Sequence, residues 1–106
     1  MNQASDTTND GAVYLMAHVP VRDWTRFKDY QQAALPTIER YGGRVLAAGR
    51  AEQLEGAGYV HNVVLEFPSA DSARSWYHSD DYQASITIRE ECAPGAQVCM
   101  VSAFKR

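Results

Sequence analysis

The strand-like segments of this chain carry apolar side chains on both of their alternating faces. From Ala12 to Val19 one alternate set is wholly apolar, and the other is amphipathic rather than charged, namely Tyr14, Met16 and His18. Residues 59–67 and 98–104 follow much the same pattern. An antiparallel sheet with one face in water would instead alternate between apolar and polar side chains. The pattern therefore predicts a sheet that is covered on both faces.

A long helix is predicted after the first strand. Asp23 has the character of an N-cap, and apolar residues recur at helical spacing from Trp24 to about Tyr41. The pair Gly42-Gly43 ends this helix, since glycine tolerates the left-handed cap. Pro36 lies inside the helix and removes a backbone hydrogen bond, so we expect a kink near residues 32–35.

The remaining segments predict a ferredoxin-like α+β fold. Three more strands are expected at 44–49, 59–67 and about 97–104, and Ser69 and Ser79 each begin a further helical stretch. The order β-α-β-β-α-β is the split βαβ arrangement with a four-stranded antiparallel sheet. Right-handed crossovers would place the first and third strands side by side at its centre, with the helices on one face.

One register between the two central strands separates their side chains cleanly. If Tyr14 lies opposite Glu66, one face is wholly apolar and the other is mixed, with Tyr14, Met16, His18, Asn62, Val64 and Glu66. A shift by one residue would mix the two sets. We expect the helices to cover the apolar face. In so short a chain, the mixed face is expected to pack on the sheet of a second copy, which predicts a homodimer.

Length and composition are those of one globular domain. The 106 residues are 45% hydrophobic and 22% charged, and we expect a disordered polar tail over 1–11 and one domain over 12–106. The net charge of −3, without a basic stripe, argues against nucleic-acid binding. No apolar stretch could span a bilayer and no secretory signal is visible, so no membrane association and a cytoplasmic location are expected. Cys92 and Cys99 are expected to be reduced thiols rather than a disulfide.

Several spaced motifs resemble the domain of unknown function 1330 (DUF1330) family. In chain order they are Tyr41-Gly42-Gly43-Arg44, Leu54-Glu55-Gly56, Glu66-Phe67-Pro68-Ser69, Ala73-Arg74 with Trp76-Tyr77, Ser79 with Tyr82, and Arg89. The resemblance covers the chain from about Tyr14 to the last strand. It implies a dimeric α+β barrel, in which two four-stranded sheets pack together, but it implies no reaction. Members typically have an arginine and two glycines where this chain has Ala48, Gly49 and Arg50.

Glu66 and His18 are the candidate catalytic residues. Glu66 is flanked by Leu65 and Phe67 in a largely apolar strand, where burial would raise its pKa and suit it to acid–base chemistry. The alternative is an ion pair with Arg44, Arg50 or Arg89. His18 shares the mixed face with Glu66, about 13 Å away along the sheet. A single histidine in a strand is more often a structural residue held by hydrogen bonds than a catalytic one.

The candidate ligand pocket lies at or beside the barrel. Its candidate residues are Tyr14, Tyr30, Asn62, Tyr82 and Arg89. Arg89 could bind a carboxylate-bearing ligand through its fork of donors, or it could anchor its helix to Glu66 or to a C-terminal carbonyl. The tyrosines could instead be core residues. No metal site is predicted, because the three histidines lie on different elements without ligand spacing. No cofactor is predicted either, since the chain has no phosphate loop or GxGxxG motif.

Two functions remain open from these residues. The first is a small-molecule-binding or accessory protein without catalysis. The second is a cofactor-independent enzyme, of monooxygenase or isomerase type, that uses Glu66 and His18 on a small organic substrate.

Overall fold

A computed structural model describes residues 11–104, and within them the chain forms four strands and three helices. In chain order these are β1 (Val13–Val19), α1 (Trp24–Arg40), β2 (Arg44–Gly49), β3 (His61–Phe67), α2 (Ala70–Tyr77), α3 (Asp80–Cys92) and β4 (Gln97–Ser102). The predicted order is confirmed, although β3 begins two residues later than predicted and β4 ends two residues earlier. The disordered tail predicted for 1–11 lies, except for Gly11, outside the described residues.

The helices begin at the predicted caps. The side chain of Asp23 accepts a hydrogen bond from the backbone of Arg26 at 3.1 Å. Ser69 and Ser79 accept equivalent bonds at the starts of α2 and α3. Each cap satisfies an amide that the first turn of a helix leaves without a partner.

The first helix continues through its proline. α1 runs through Pro36 to Arg40, and the kink predicted near residues 32–35 stays a prediction. The chain then turns at Gly42, whose φ of +82° is the left-handed conformation that glycine favours. A side chain at the next residue, Gly43, would place its Cβ 2.5 Å from the ring of Phe67. The glycine pair thus ends the helix and lets the chain pass close to the sheet.

The sheet has the strand order β2-β3-β1-β4, with every pair antiparallel. The predicted register is confirmed: Tyr14 lies opposite Glu66, and His18 lies opposite Asn62. Since side chains alternate along a strand, this register assigns each residue of the two central strands to one of two faces. In β2 the pairing shifts between Val45 and Ala47, so Leu46 has no partner on β3.

The apolar face packs beneath the helices, as predicted. Val13, Leu15, Leu65 and Phe67 from the central strands are buried against side chains of all three helices, including Ala34, Ile38, Ala73, Trp76 and Ile86. A second cluster at one end of the sheet contains Val19, Val21, Phe27, Cys92 and Ala93. Buried Thr37 accepts a hydrogen bond from Nε1 of Trp76 at 3.0 Å, which ties α1 to α2.

The opposite face, here called the open face, is arranged in three rows that cross the four strands. The central row is apolar and contains Ala47, Val64, Met16 and Cys99. One flanking row contains Arg44, Glu66, Tyr14 and Val101, and the other contains Gly49, Asn62, His18 and Gln97. Met16, at the middle of the central row, remains 36% exposed.

None of the helices in residues 11–104 is long and apolar enough to cross a membrane.

Candidate functional site

A cavity of about 480 Å³ lies between the helices and the apolar face of the sheet, here called the helix-side cavity. Its deeper wall is apolar and is formed by buried side chains such as Leu15, Phe27, Ala34, Ile38, Leu65 and Trp76. Most of the exposed lining residues lie along α1 and β2, namely Gln31, Leu35, Val45 and Ala48, and Val98 of β4 is exposed as well. The cavity therefore opens between α1 and β2, and its volume is typical of small-molecule sites.

Three polar side chains converge on this cavity from two helices. Tyr82 and Arg89 lie seven residues apart on α3, which places them on one face of that helix. Nη1 of Arg89 donates to the hydroxyl oxygen of Tyr82 at 3.1 Å. That hydroxyl lies 2.8 Å from the hydroxyl of Tyr30, which comes from α1. All three line the cavity.

The charge of Arg89 has no acidic partner among residues 11–104. The residue is only 7% exposed, and its Nε has no hydrogen-bond partner within the described part of the chain. Its guanidinium carbon lies 5.8 Å from the ring centre of Tyr30, in cation–π range. Arg89 does not anchor its helix to Glu66, because Glu66 pairs with Arg44 on the open face. The other alternative, an anchor to a C-terminal carbonyl, stays a prediction.

The buried tyrosine of this group keeps its proton. Tyr82 is 2% exposed, and burial raises its pKa far above the usual tyrosine value, with a further contribution from Tyr30. Its hydroxyl is therefore a neutral hydrogen-bonding group and cannot neutralise the guanidinium of Arg89.

His61 is a cavity residue that the sequence reasoning missed. It lies at the start of β3 with 7% of its surface exposed, and its ring contacts the rings of Trp24 and Phe27. Burial lowers its pKa, which favours the neutral imidazole. A signal was present, because His61 shares the odd-numbered face of β3 with Val63 and Leu65, and that face lies under the helices.

The two candidate catalytic residues lie on the open face, and each is paired there. Oε1 of Glu66 accepts a hydrogen bond from Nε of Arg44 at 2.7 Å, so the ion-pair interpretation is confirmed with Arg44 as the partner. Nδ1 of His18 lies 2.9 Å from Oδ1 of Asn62. Tyr14 is also on this face, in the row of Glu66.

The predicted site residues therefore form two groups on opposite faces of the sheet. Tyr30, Tyr82 and Arg89 share the helix-side cavity, whereas Tyr14, Asn62, His18 and Glu66 share the open face. At the position where the resemblance implied an arginine, Ala48 lies at the cavity mouth and Arg50 is exposed beyond the end of β2. Arg89 is thus the arginine that lines this cavity.

Neither metal ligation nor a disulfide contributes to this arrangement within residues 11–104. No group of three or more His, Cys, Asp or Glu side chains in that range could hold a metal ion. Cys92 is a buried free thiol at the end of α3, and Cys99 is an exposed free thiol on the open face.

A family model described as a domain of unknown function, DUF1330, matches residues 12–104. The chain belongs to the DUF1330 family. The resemblance inferred from its motifs is confirmed, and the match covers the whole domain described above. No curated protein matches this DUF1330 chain.

Solved structures with the same fold support the architecture. A protein of unknown function from Rhodopseudomonas palustris is 18% identical, with a TM-score of 0.75 over 92% of this chain and 85% of that one. A dimeric ferredoxin-like protein of unknown function from Thermobifida fusca is 16% identical, with a TM-score of 0.66 over 95% of this chain and all of that one. SnoaB, a cofactor-independent oxygenase from Streptomyces nogalater, is 10% identical, with a TM-score of 0.66 over 91% and 96% of the two chains. At these identities the likeness shows the fold and assigns no reaction to the DUF1330 chain.

Proposed function

We propose that this DUF1330 protein is a homodimer that binds a small organic molecule in the helix-side cavity and acts without catalysis. The observation that carries the proposal is the convergence of Tyr30, Tyr82 and Arg89 on a largely apolar cavity of about 480 Å³. An enclosed apolar wall with a few converging polar groups is the usual form of a small-molecule site.

The open face supports the homodimer. Its central row leaves Met16 exposed and Val64 partly exposed in a single copy. Beside that row Arg44 and Glu66 form an ion pair, and His18 contacts Asn62. A face with an apolar centre whose flanking charges are already paired can pack on its own symmetry copy without burying unpaired charges. The Thermobifida fusca protein with this fold is described as dimeric.

Ligand binding is tested with a panel of phenols, quinones and lactones, measured by thermal shift and by mass spectrometry of the reaction mixture. The proposal predicts ligand-dependent stabilisation without product. At 100 times its Kd, a ligand that binds only the folded protein stabilises it by about 2.7 kcal/mol. Product formation by the wild-type protein would contradict the absence of catalysis.

A substitution that blocks the opening of the helix-side cavity tests whether the ligand binds there. Ala48 is exposed at the mouth, so Ala48→Trp should obstruct entry with little strain on the fold. The matched control is Ala33→Trp, which adds the same indole at an exposed position of α1 that does not line the cavity. We expect Ala48→Trp to lose most of the ligand-induced shift and the control to keep it. Equal shifts in both variants would place the ligand elsewhere.

A cofactor-independent enzyme is the second candidate function, and the position of His61 favours it. A neutral imidazole in the same cavity as a buried guanidinium can accept a proton from a bound ligand, while the guanidinium stabilises the anion that remains. Return of that proton at another atom would be an isomerisation. Under this candidate, wild type forms a product from one panel member, and His61→Gln binds the same compound without turnover.

The catalytic role of Glu66 and His18 stays a prediction. Both lie on the open face, so they could act only on a molecule enclosed between the sheets of two copies. Glu66→Gln tests this role: a folded dimer that has lost turnover would support it, and a variant that unfolds or becomes monomeric would show a structural role instead. A cytoplasmic location also stays a prediction.

A further inference from the structure

Arg89 is the least expected residue in the helix-side cavity. Its side chain carries a permanent positive charge, and only 7% of the residue's surface is exposed. It has no acidic partner among residues 11–104. A buried charge without a counter-ion is strongly unfavourable, and proteins usually pair it with an opposite charge. An acidic partner from outside residues 11–104 would remove this cost.

The neighbouring groups offer donors to that partner. Arg89 uses one of its five N–H groups on Tyr82, and its Nε–H is unused within the described chain. The contact between Tyr82 and Tyr30 uses one of their two hydroxyl protons, whichever residue is the donor. One phenol proton therefore remains beside the guanidinium. The site presents N–H and O–H donors together, which suits a group that only accepts hydrogen bonds.

We propose that the ligand is a monocarboxylate with an aromatic or apolar body, and that its carboxylate binds to Arg89. The inference rests on the proposed function, since it names the class of molecule that the cavity takes. A carboxylate accepts from the guanidinium fork in a charge-assisted geometry and removes the unpaired charge. Its apolar body would contact the wall that contains Phe27 and Trp76.

The charge balance of the cavity favours one carboxylate over two. Arg89 is the only Lys or Arg side chain of the described residues that lines it, and burial keeps His61 neutral. A second carboxylate, or a phosphate with two negative charges, would leave a negative charge without a partner in an apolar site. The same balance excludes a cationic ligand, which would lie against the guanidinium.

Matched acid and amide probes test the inference by isothermal titration. Benzoate and 2-naphthoate are compared with benzamide and 2-naphthamide, which have nearly the same shape without the charge. We expect wild type to bind each carboxylate at least 10-fold more tightly than its amide. In Arg89→Met the carboxylate should lose about 10- to 100-fold in affinity, as expected for a hydrogen-bonded charge. The affinity of Arg89→Met for the matching amide should change by less than about threefold, because the apolar wall of the cavity is intact.

Two further variants separate the role of the charge from its effects on the fold. Arg40→Met removes an exposed arginine outside the cavity and should leave the affinities for the acids and for the amides unchanged. Arg89→Lys keeps the charge but not the fork, so we expect it to retain the preference for the acid with weaker binding. If Arg89→Met does not fold, the acid-to-amide ratios of wild type and Arg89→Lys decide the question.

The outcomes distinguish this inference from the function on which it rests. Amides that bind wild type as tightly as the acids, or an Arg89→Met variant that weakens both equally, would overturn the carboxylate assignment and leave small-molecule binding in place. If no acid or amide probe binds to wild type at millimolar concentration, the carboxylate assignment is overturned. If the phenol, quinone and lactone panel also fails, the proposed function is overturned with it.

Discussion

The open face of the sheet offers the sharpest test of assembly, through the substitution Met16→Lys. Met16 lies at the centre of the apolar row, between Val64 and Cys99 on the neighbouring strands. In a symmetric dimer the change occurs twice across one interface. The new ammonium groups would enter the driest part of that interface, whereas the helix-side core would keep all of its contacts.

The expected loss follows from exposure and charge. Complete burial of a methionine side chain contributes about 1.5–3 kcal/mol, and Met16 is 36% exposed, so a partner can add about 0.5–1 kcal/mol per copy. Each buried lysine charge costs several kcal/mol after relaxation. Over two copies the dimer should lose on the order of 5 kcal/mol or more. That corresponds to a dissociation constant raised by at least about 10³-fold.

Sedimentation velocity over a range of micromolar concentrations measures this change. The matched control is Gln32→Lys, which adds the same charge at an exposed position of α1 away from the sheet. Near-UV circular dichroism, which reports on the packing of Trp76, should be native for both variants. The reasoning is refuted if Met16→Lys dimerises as tightly as Gln32→Lys, or if wild type is a folded monomer at these concentrations.

Three further predictions concern the core and the cavity. Thr37→Val leaves the buried Nε1 of Trp76 without an acceptor and should lower the free energy of unfolding by about 1–3 kcal/mol, measured with urea; an unchanged midpoint would contradict it. Gly43→Ala brings a methyl group against the ring of Phe67 and should cost about 1–3 kcal/mol, seen as a lower Tm. The pKa of His61 is lowered by burial, so the unfolded chain binds its proton first as the pH falls. Stability should therefore decline below about pH 6.5 and level off below the lowered pKa. His61→Gln should reduce that decline, and an identical pH profile in the variant would argue against it.

The helices, strands and register were accessible from the sequence because they depend on local chemistry. Asp23, Ser69 and Ser79 are side chains that satisfy the first amides of a helix, so each start could be located from residue type alone. The pairing of Tyr14 with Glu66 followed from the requirement that apolar side chains share a face. The predicted start of β3 and the predicted end of β4 were each wrong by two residues. The limits of a strand depend on where a neighbouring strand offers backbone hydrogen bonds, which a single segment of sequence does not show.

The cavity and its polar group were only partly accessible. Tyr30, Tyr82 and Arg89 could be named as polar or aromatic residues on helical faces, but no local pattern indicates that α1 and α3 bring their side chains within hydrogen-bond distance. His61 was missed because its chemistry was judged by ligand spacing, while its position on the face of Leu65 would have placed it under the helices.

By itself, the sequence of this DUF1330 chain determined the order of its elements, their register and the face that the helices cover. These properties follow from side-chain periodicity and from caps, which act over a few neighbouring residues. Only the tertiary structure decided that Glu66 pairs with Arg44 and His18 with Asn62 on the open face. It also decided that Arg89 is buried beside a cavity without an acidic partner among residues 11–104. Those facts depend on which distant side chains meet and how much space remains between packed layers, and both are set by the packing of whole elements.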